Sequence, residues 1–141
     1  MNLLDRLKEH EGEVKKKGLH VPYRDSRGYL TIGYGALIDD EQGGGLYDEE
    51  AEFILKNRTD KAIDEAESAF PWFGALTPDR QEVLVELLFN MGLPTLLQFK
   101  KFLTAAERGD HQSAADELVD SKWYRQVGRR GETLVNMWRS G

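Results

Sequence analysis

The tightest constraint on the fold of this chain is the order in which its hydrophobic periodicities occur. A short helical stretch is followed by one segment alternating every second residue, and the helical period then runs to the end. Strands and helices that are segregated in this way argue for an α+β fold and against a parallel sheet built from strand–helix–strand repeats. With 141 residues and no cysteine, the chain is long enough to bury a core, and it must do so without disulfides or thiolate metal sites.

Residues 2–11 read as an amphipathic helix with Asn2 as N-cap, Asp5 in the first turn and Gly12 just past its end. Its apolar stripe is Leu3, Leu4 and Leu7, and at about 100° per residue Glu11 continues that stripe while Glu9 points away. Residues 13–28 lose the helical period and end in Asp25-Ser26-Arg27-Gly28, which suits a tight turn and implies a hairpin. In Tyr29-Leu30-Thr31-Ile32-Gly33-Tyr34-Gly35, alternation puts Leu30, Ile32 and Tyr34 on one face, expected to meet a core. Thr31, Gly33 and Gly35 share the other, a nearly bare backbone that lets a bulky ligand come close.

Gly43-Gly44-Gly45 closes a turn-rich connector, after which only helices are expected. A long helix spans 48–69 with Ala51, Ile54, Leu55, Ala62 and Ala66 inward. Thr77-Pro78 opens a central helix with the stripe Val83, Leu84, Leu87, Leu88 and Met91, ended by Gly92 and Pro94. Shorter helices follow at 99–107, 111–120 and 129–139. Trp138 is expected in the core, and Trp123 nearer to a cleft.

Charge narrows the function classes. The net charge is −6, with 10 Lys and Arg against 16 Asp and Glu in residues 1–70 and 9 against 9 thereafter. Nucleic acid is therefore not an expected partner, since phosphate contacts need a basic face. His10, His20 and His111 lack metal-ligand spacing, so no metal and no cofactor is expected. The stretch from Met1 to Arg6 holds neither a signal h-region nor a span. The expectation is thus a cytoplasmic protein in the producing cell, without stable membrane insertion, and a monomer.

Two carboxyl groups across a cleft, one protonated and one ionised, are what glycoside hydrolysis needs. Glu11 and Asp25 fit that need. A helix C-terminus and an apolar stripe both disfavour a charged Glu11, as a general acid requires, while Asp25 in an open turn stays ionised. Thr31 offers a hydroxyl able to hold a water. Each also has a plainer structural reading: a surface glutamate, a turn aspartate and a strand threonine. The residues alone leave both open.

His10-Glu11-Gly12, followed by Tyr23-Arg24-Asp25-Ser26-Arg27-Gly28-Tyr29-Leu30-Thr31-Ile32-Gly33-Tyr34-Gly35, resembles the signature of the phage T4-type lysozymes. The likeness continues through Phe89-Asn90-Met91-Gly92, Gln98-Phe99, Ala114-Ala115, Ser121-Lys122-Trp123-Tyr124 and Trp138-Arg139-Ser140-Gly141. It implies a single lysozyme domain: a small β lobe at about 12–47, a linking helix at 48–69, and a helical lobe of 70–141 with 1–11. It also implies a muramidase that cleaves the β-1,4 bond between N-acetylmuramic acid and N-acetylglucosamine, with inversion. Glu11 is then the acid, Asp25 the base and Thr31 the holder of the attacking water, with Gly33, Gly35, Leu37, Phe89 and Arg130 at substrate-binding positions. Arg130 falls where the family has an arginine beside the catalytic glutamate. The partner is the peptidoglycan glycan strand, reached after release from the cell or as part of a virion.

Four features depart from the family pattern. Thirteen residues separate Glu11 from Asp25, and the added length carries Lys15-Lys16-Lys17. A solvated loop is the plainer account of those lysines, and contact with an anionic glycan the other. The helix expected after the sheet is reduced to the glycine connector. Phe102 and Glu117 stand where the family has small or amide groups in its sugar subsites, and the net charge is acidic. A lysozyme-like module that binds without cutting, and a lytic transglycosylase, remain as alternatives to hydrolysis.

Overall fold

The computed structural model describes residues 2–141 and has the α+β composition expected, with helices predominating over two small antiparallel sheets. Met1, the start of the stretch tested for a signal segment, lies outside the described residues. The chain divides into a unit ending at Phe53 and a second running from Ile54 to Gly141.

The first unit opens with α1 (Leu3–Glu11), where the Asn2 side chain accepts a hydrogen bond from Asp5 N–H at 2.8 Å and Gly12 ends the helix at φ 72°. Two strands then form a hairpin, β1 (Lys15–Lys16) with β2 (Leu19–His20). A three-stranded sheet follows, in which β4 (Leu30–Ile32) lies between β3 (Tyr23–Arg24) and β5 (Ala36–Leu37). Thr31 sits opposite both Tyr23 and Leu37. A 3-10 turn, Asp40–Gln42, is capped by the Asp39 carboxylate through Glu41 N–H at 3.1 Å. Its other oxygen accepts from Leu30 N–H at 3.3 Å and so ties the turn back to β4.

Two expectations about this unit are not met. Leu3, Leu4 and Leu7 are 60%, 69% and 43% exposed, and α1 buries no residue, so Glu11 does not continue a buried stripe. Strands of two or three residues give the unit too little surface to cover such a helix face. The faces of β4 are also not separated as expected, since Leu30, Ile32 and Gly33 are all half-buried and Gly35 is exposed. Thr31 is 3% exposed while Tyr34 is 42% exposed, because Thr31 is centred between two partner strands and Tyr34 falls beyond the strand's end.

Helix α2 (Asp48–Ala69) carries the chain across the division, with three acidic residues in its first turn where the helix dipole favours them. Of its five expected inward residues only Ala62 and Ala66 are buried; Ile54 and Leu55 are exposed. The second unit continues with α3 (Pro78–Met91), α4 (Leu93–Leu96), α5 (Lys100–Glu107), α6 (His111–Val119), α7 (Lys122–Val127) and α8 (Arg129–Ser140). Thr77 caps α3 through Arg80 N–H, with Pro78 in the first turn as expected.

The core of this unit is built around Trp138, which is fully buried. Phe102 of α5 and His111 of α6 meet its ring edge-on, at centroid distances of 5.1 and 5.6 Å. Arg80 of α3 donates from Nε to its carbonyl at 2.8 Å. Ala105, Ala106, Ala114 and Ala115, all buried, let α5 and α6 approach closely. Removing a ring so placed costs about 3–5 kcal/mol.

Candidate active site

All three residues expected to carry chemistry lie in the first unit, and each is held by local structure. Glu11 is the last residue of α1, and its side chain lies against the backbone of Gly35. A Cβ on Gly35 would stand 2.8 Å from Glu11 Oε2 and 3.2 Å from Glu11 Cβ. The bare backbone at Gly35 therefore admits the glutamate side chain, where alternation alone pointed to a ligand. Gly33, by contrast, has nothing within 4 Å of where its Cβ would be.

Asp25 opens the turn to β4 in the way its sequence implies. Its Oδ1 accepts from both Arg27 N–H and Tyr29 N–H at 2.9 Å, and its carbonyl accepts from Gly28 N–H at 2.9 Å. Gly28 takes φ 85°, a left-handed conformation in which a side chain is strained. One carboxylate oxygen is thus committed to the turn, while no side-chain or backbone donor among the described residues holds Oδ2. The turn is closed on its outer side by Arg24, whose Nη1 donates to Gly28 O at 3.1 Å.

Thr31 is joined to Asp25 through a single carbonyl. The carbonyl of Tyr29 accepts both the Asp25 N–H, at 2.9 Å, and the Thr31 hydroxyl, at 3.0 Å. The N–H of the same residue donates to Asp25 Oδ1. The proton of Thr31 Oγ1 is spoken for, so towards anything else this oxygen can only accept. Leu37, opposite Thr31 in β5, is half-buried and takes up Gly45 N–H on its carbonyl at 3.1 Å, which folds the glycine connector back onto the sheet.

Phe89 and Arg130 lie in the second unit and line one cavity there, about 750 Å³, together with Leu55, Phe73, Val85 and Met137. Arg130 is paired with Glu86 at 3.5 Å, and Phe89 is 44% exposed. A separate cavity of about 810 Å³ is lined by Asn90, Phe99, Phe102, Glu117 and Trp123 among others. Trp123 is buried and donates from Nε1 to Asn90 Oδ1 at 3.0 Å, so it forms the wall of that cavity. Phe102 also lines it, yet it is 1% exposed and packs on Trp138, which makes it a core residue first.

Sequence reasoning missed Asp39, whose two oxygens join β4 to the turn after β5. An Asp two residues before Glu41 in a glycine-flanked segment is a capping signal that was available. It also missed the edge-to-face contact of His20 with Tyr34 at 5.0 Å and the placement of Lys8 Nζ over the same ring at 5.4 Å, contacts for which spacing gives no signal.

Comparison with known proteins bears on this arrangement. The family model described as phage lysozyme matches residues 8–140. A probable T4-type lysozyme 2 of Dictyostelium discoideum is 25% identical, the match covering 99% of this chain and 95% of the relative. A probable T4-type lysozyme 1 of the same organism is 24% identical over the same shares of both chains. The pre-baseplate central spike protein Gp5 of Enterobacteria phage T4 is 25% identical across the whole of this chain, which spans 28% of that longer protein.

Proposed function

The chain belongs to the phage lysozyme family, and on that premise we propose that it hydrolyses the β-1,4 bond between N-acetylmuramic acid and N-acetylglucosamine with Glu11 as acid, Asp25 as base and Thr31 as holder of water. As a lysozyme it acts on peptidoglycan. The finer reading is supported by one observation above all: the Asp25 N–H and the Thr31 hydroxyl both donate to the Tyr29 carbonyl, while Asp25 Oδ2 has no donor among the described residues.

In that reading a water donates one hydrogen to Asp25 Oδ2 and the other to Thr31 Oγ1. Both of its hydrogens are then held, and one of the two lone pairs on its oxygen attacks the anomeric carbon. Asp25 takes the proton as the carbon–oxygen bond forms. Glu11 gives its proton to the departing oxygen, and the glycan leaves with inverted configuration, the outcome of a single displacement. Glu11 is suited to such a role by position, at a helix end with Gly35 beneath its carboxylate. Gly33 and Leu37 of the first unit then contribute to binding the glycan, and Phe89 and Arg130 of the second unit are proposed to do so in their own right.

The test is turnover of purified sacculi by the native chain and by Glu11→Gln, followed by mass spectrometry of the soluble products. Reducing-end muramic acid from the native chain, and loss of turnover in a folded variant, are expected. Anhydro-muramic products would identify a transglycosylase, and intact sacculi a binding module; either result overturns the proposal.

A further inference from the structure

The hairpin of β1 and β2 closes through the two residues Lys17 and Gly18, both with positive φ, at 52° and 79°. Two-residue hairpin turns of this hand favour Asn-Gly or Gly-Gly, since other side chains are strained there. Lys17 is the sole non-glycine with positive φ among the described residues. Its side chain repays that strain with no ion pair among those residues. Strain held without an internal partner directs attention to what Lys17 presents outward.

The register sorts the three consecutive lysines. Lys15 lies opposite His20, and Glu13 Oε2 stands 3.7 Å from both Lys15 Nζ and His20 Nε2, so the charge on that face is balanced. Lys16 lies opposite Leu19 on the other face, and both are exposed. Lys16 and Lys17 therefore form an uncompensated cationic tip on a chain whose first 70 residues are otherwise acidic.

This tip is anchored near the candidate acid. The edge of the His20 ring packs on Tyr34, Lys8 of α1 lies over the same Tyr34 ring, and the next residue is the Gly35 on which Glu11 rests. A route of direct contacts within the first unit thus runs from the tip's base to Glu11.

We propose that Lys16 and Lys17 bind the free carboxylates of the stem peptides on the peptidoglycan strand being cut, as an arm that holds the polymer beside the site. This rests on the reading that the chain acts on peptidoglycan. Charge selects the occupant: a cationic tip takes anionic groups, and on a glycan strand free of phosphate polymers these are the carboxylates of its own stem peptides. The surrounding acidic surface repels such a polymer, so a local cationic contact matters most at low ionic strength, where the screening length exceeds about 10 Å.

The experiment is co-sedimentation with sacculi stripped of phosphate polymers, using the full chain carrying Glu11→Gln so that nothing is digested. Adding Lys16→Gln and Lys17→Gln is expected to weaken binding about three- to tenfold at low salt, two exposed ion pairs' worth. The deficit is expected to vanish at high salt, and on sacculi whose carboxylates have been amidated. Lys17→Gly is the folding control, since it relieves the backbone strain while removing the charge: a variant of equal or greater thermal stability that binds less well is expected. Equal binding by all variants at low salt overturns the proposal. So does binding that is lost when the phosphate polymers are stripped, because that assigns the tip a phosphodiester partner. Failure of the underlying reading registers separately, as native chain that releases no fragments from sacculi it sediments with.

Discussion

Gly35→Ala tests the placement of Glu11 most directly, because one methyl group meets two independent obstacles. The first is backbone: Gly35 has φ 81°, and an L side chain in the left-handed region costs about 1–2 kcal/mol. The second is Glu11. The added carbon would lie 2.8 Å from Oε2, which can swing away, but also 3.2 Å from Glu11 Cβ, which is fixed to α1 and cannot. Turning the glutamate off its rotamer adds about 0.5–1.5 kcal/mol. A total loss of about 2–3 kcal/mol is expected, read as a fall in Tm of about 5–10 °C. Because the carboxyl must move by something near 1 Å, kcat on sacculi should fall by about 100-fold. Gly109→Ala separates the two causes, having φ 78° but nothing within 4 Å of its Cβ position. It should lose only the backbone share of stability, about 1–2 kcal/mol, and keep its activity. Glu11→Ala should in turn lessen the stability cost of Gly35→Ala, since it removes Oε2 and Cδ from the clash. If the cost of Gly35→Ala is the same with or without Glu11, and its activity matches that of Gly109→Ala, the contact does not govern the position of the carboxylate.

Asp25→Asn keeps an oxygen for Arg27 N–H and Tyr29 N–H, so the Tm should change little while turnover is lost; Asp25→Ala gives up both bonds and should also lose about 1–3 kcal/mol of stability. An Asp25→Asn variant with near-native turnover would remove Asp25 from the role of base. A pH effect is expected far from the site, at His111, which is held below its ordinary value of 6.5 by desolvation and then by Arg80, with Asp110 opposing. A depressed histidine binds its proton more readily in the unfolded chain, so its contribution to stability is full above pH 6.5 and is lost as pH falls below that value. Thermal melts across this range should show the native chain losing stability towards acid more steeply than His111→Gln, and parallel curves would refute it.

What was legible in the sequence tracks how local the determining physics is. The bounds of α1 and α3 follow from Asn2, Thr77 and Pro78, which satisfy or remove a backbone donor at a helix start, and from Gly12, whose N–H satisfies the Lys8 carbonyl at a helix end. The Asp25 turn was legible for the same reason, since an Asp that accepts two N–H groups within four residues needs no distant partner. Helices α4 and α7 were missed because four and six residues carry too little of a helical period to detect, although Ser121, which caps α7 through Tyr124 N–H at 3.1 Å, is a signal that stood alone. Alternation chose Leu30 and Ile32 for the interior, yet both are half-buried and Thr31 between them is the buried residue. Its burial depends on Tyr23 and Leu37 flanking Thr31, and pairing across strands is not written in the spacing of one strand.

The burial of Thr31 bears on how the proposed site would work. With Thr31 buried, its hydroxyl is not a group waiting on an open face for any water. It is already bonded to the Tyr29 carbonyl, and this bond fixes which way its lone pairs point. An exposed threonine would rotate freely and offer a proton or a lone pair with equal ease, whereas the buried one can only accept, and from a direction set by the turn that also holds Asp25. In the proposed role, positioning of the water is therefore a property of the Asp25–Thr31 segment as a unit. Thr31→Ser keeps the acceptor in a looser seat and Thr31→Val keeps the volume without the acceptor, so the proposed role ranks the turnover of these two variants: native above serine, serine well above valine, with valine above serine refuting it.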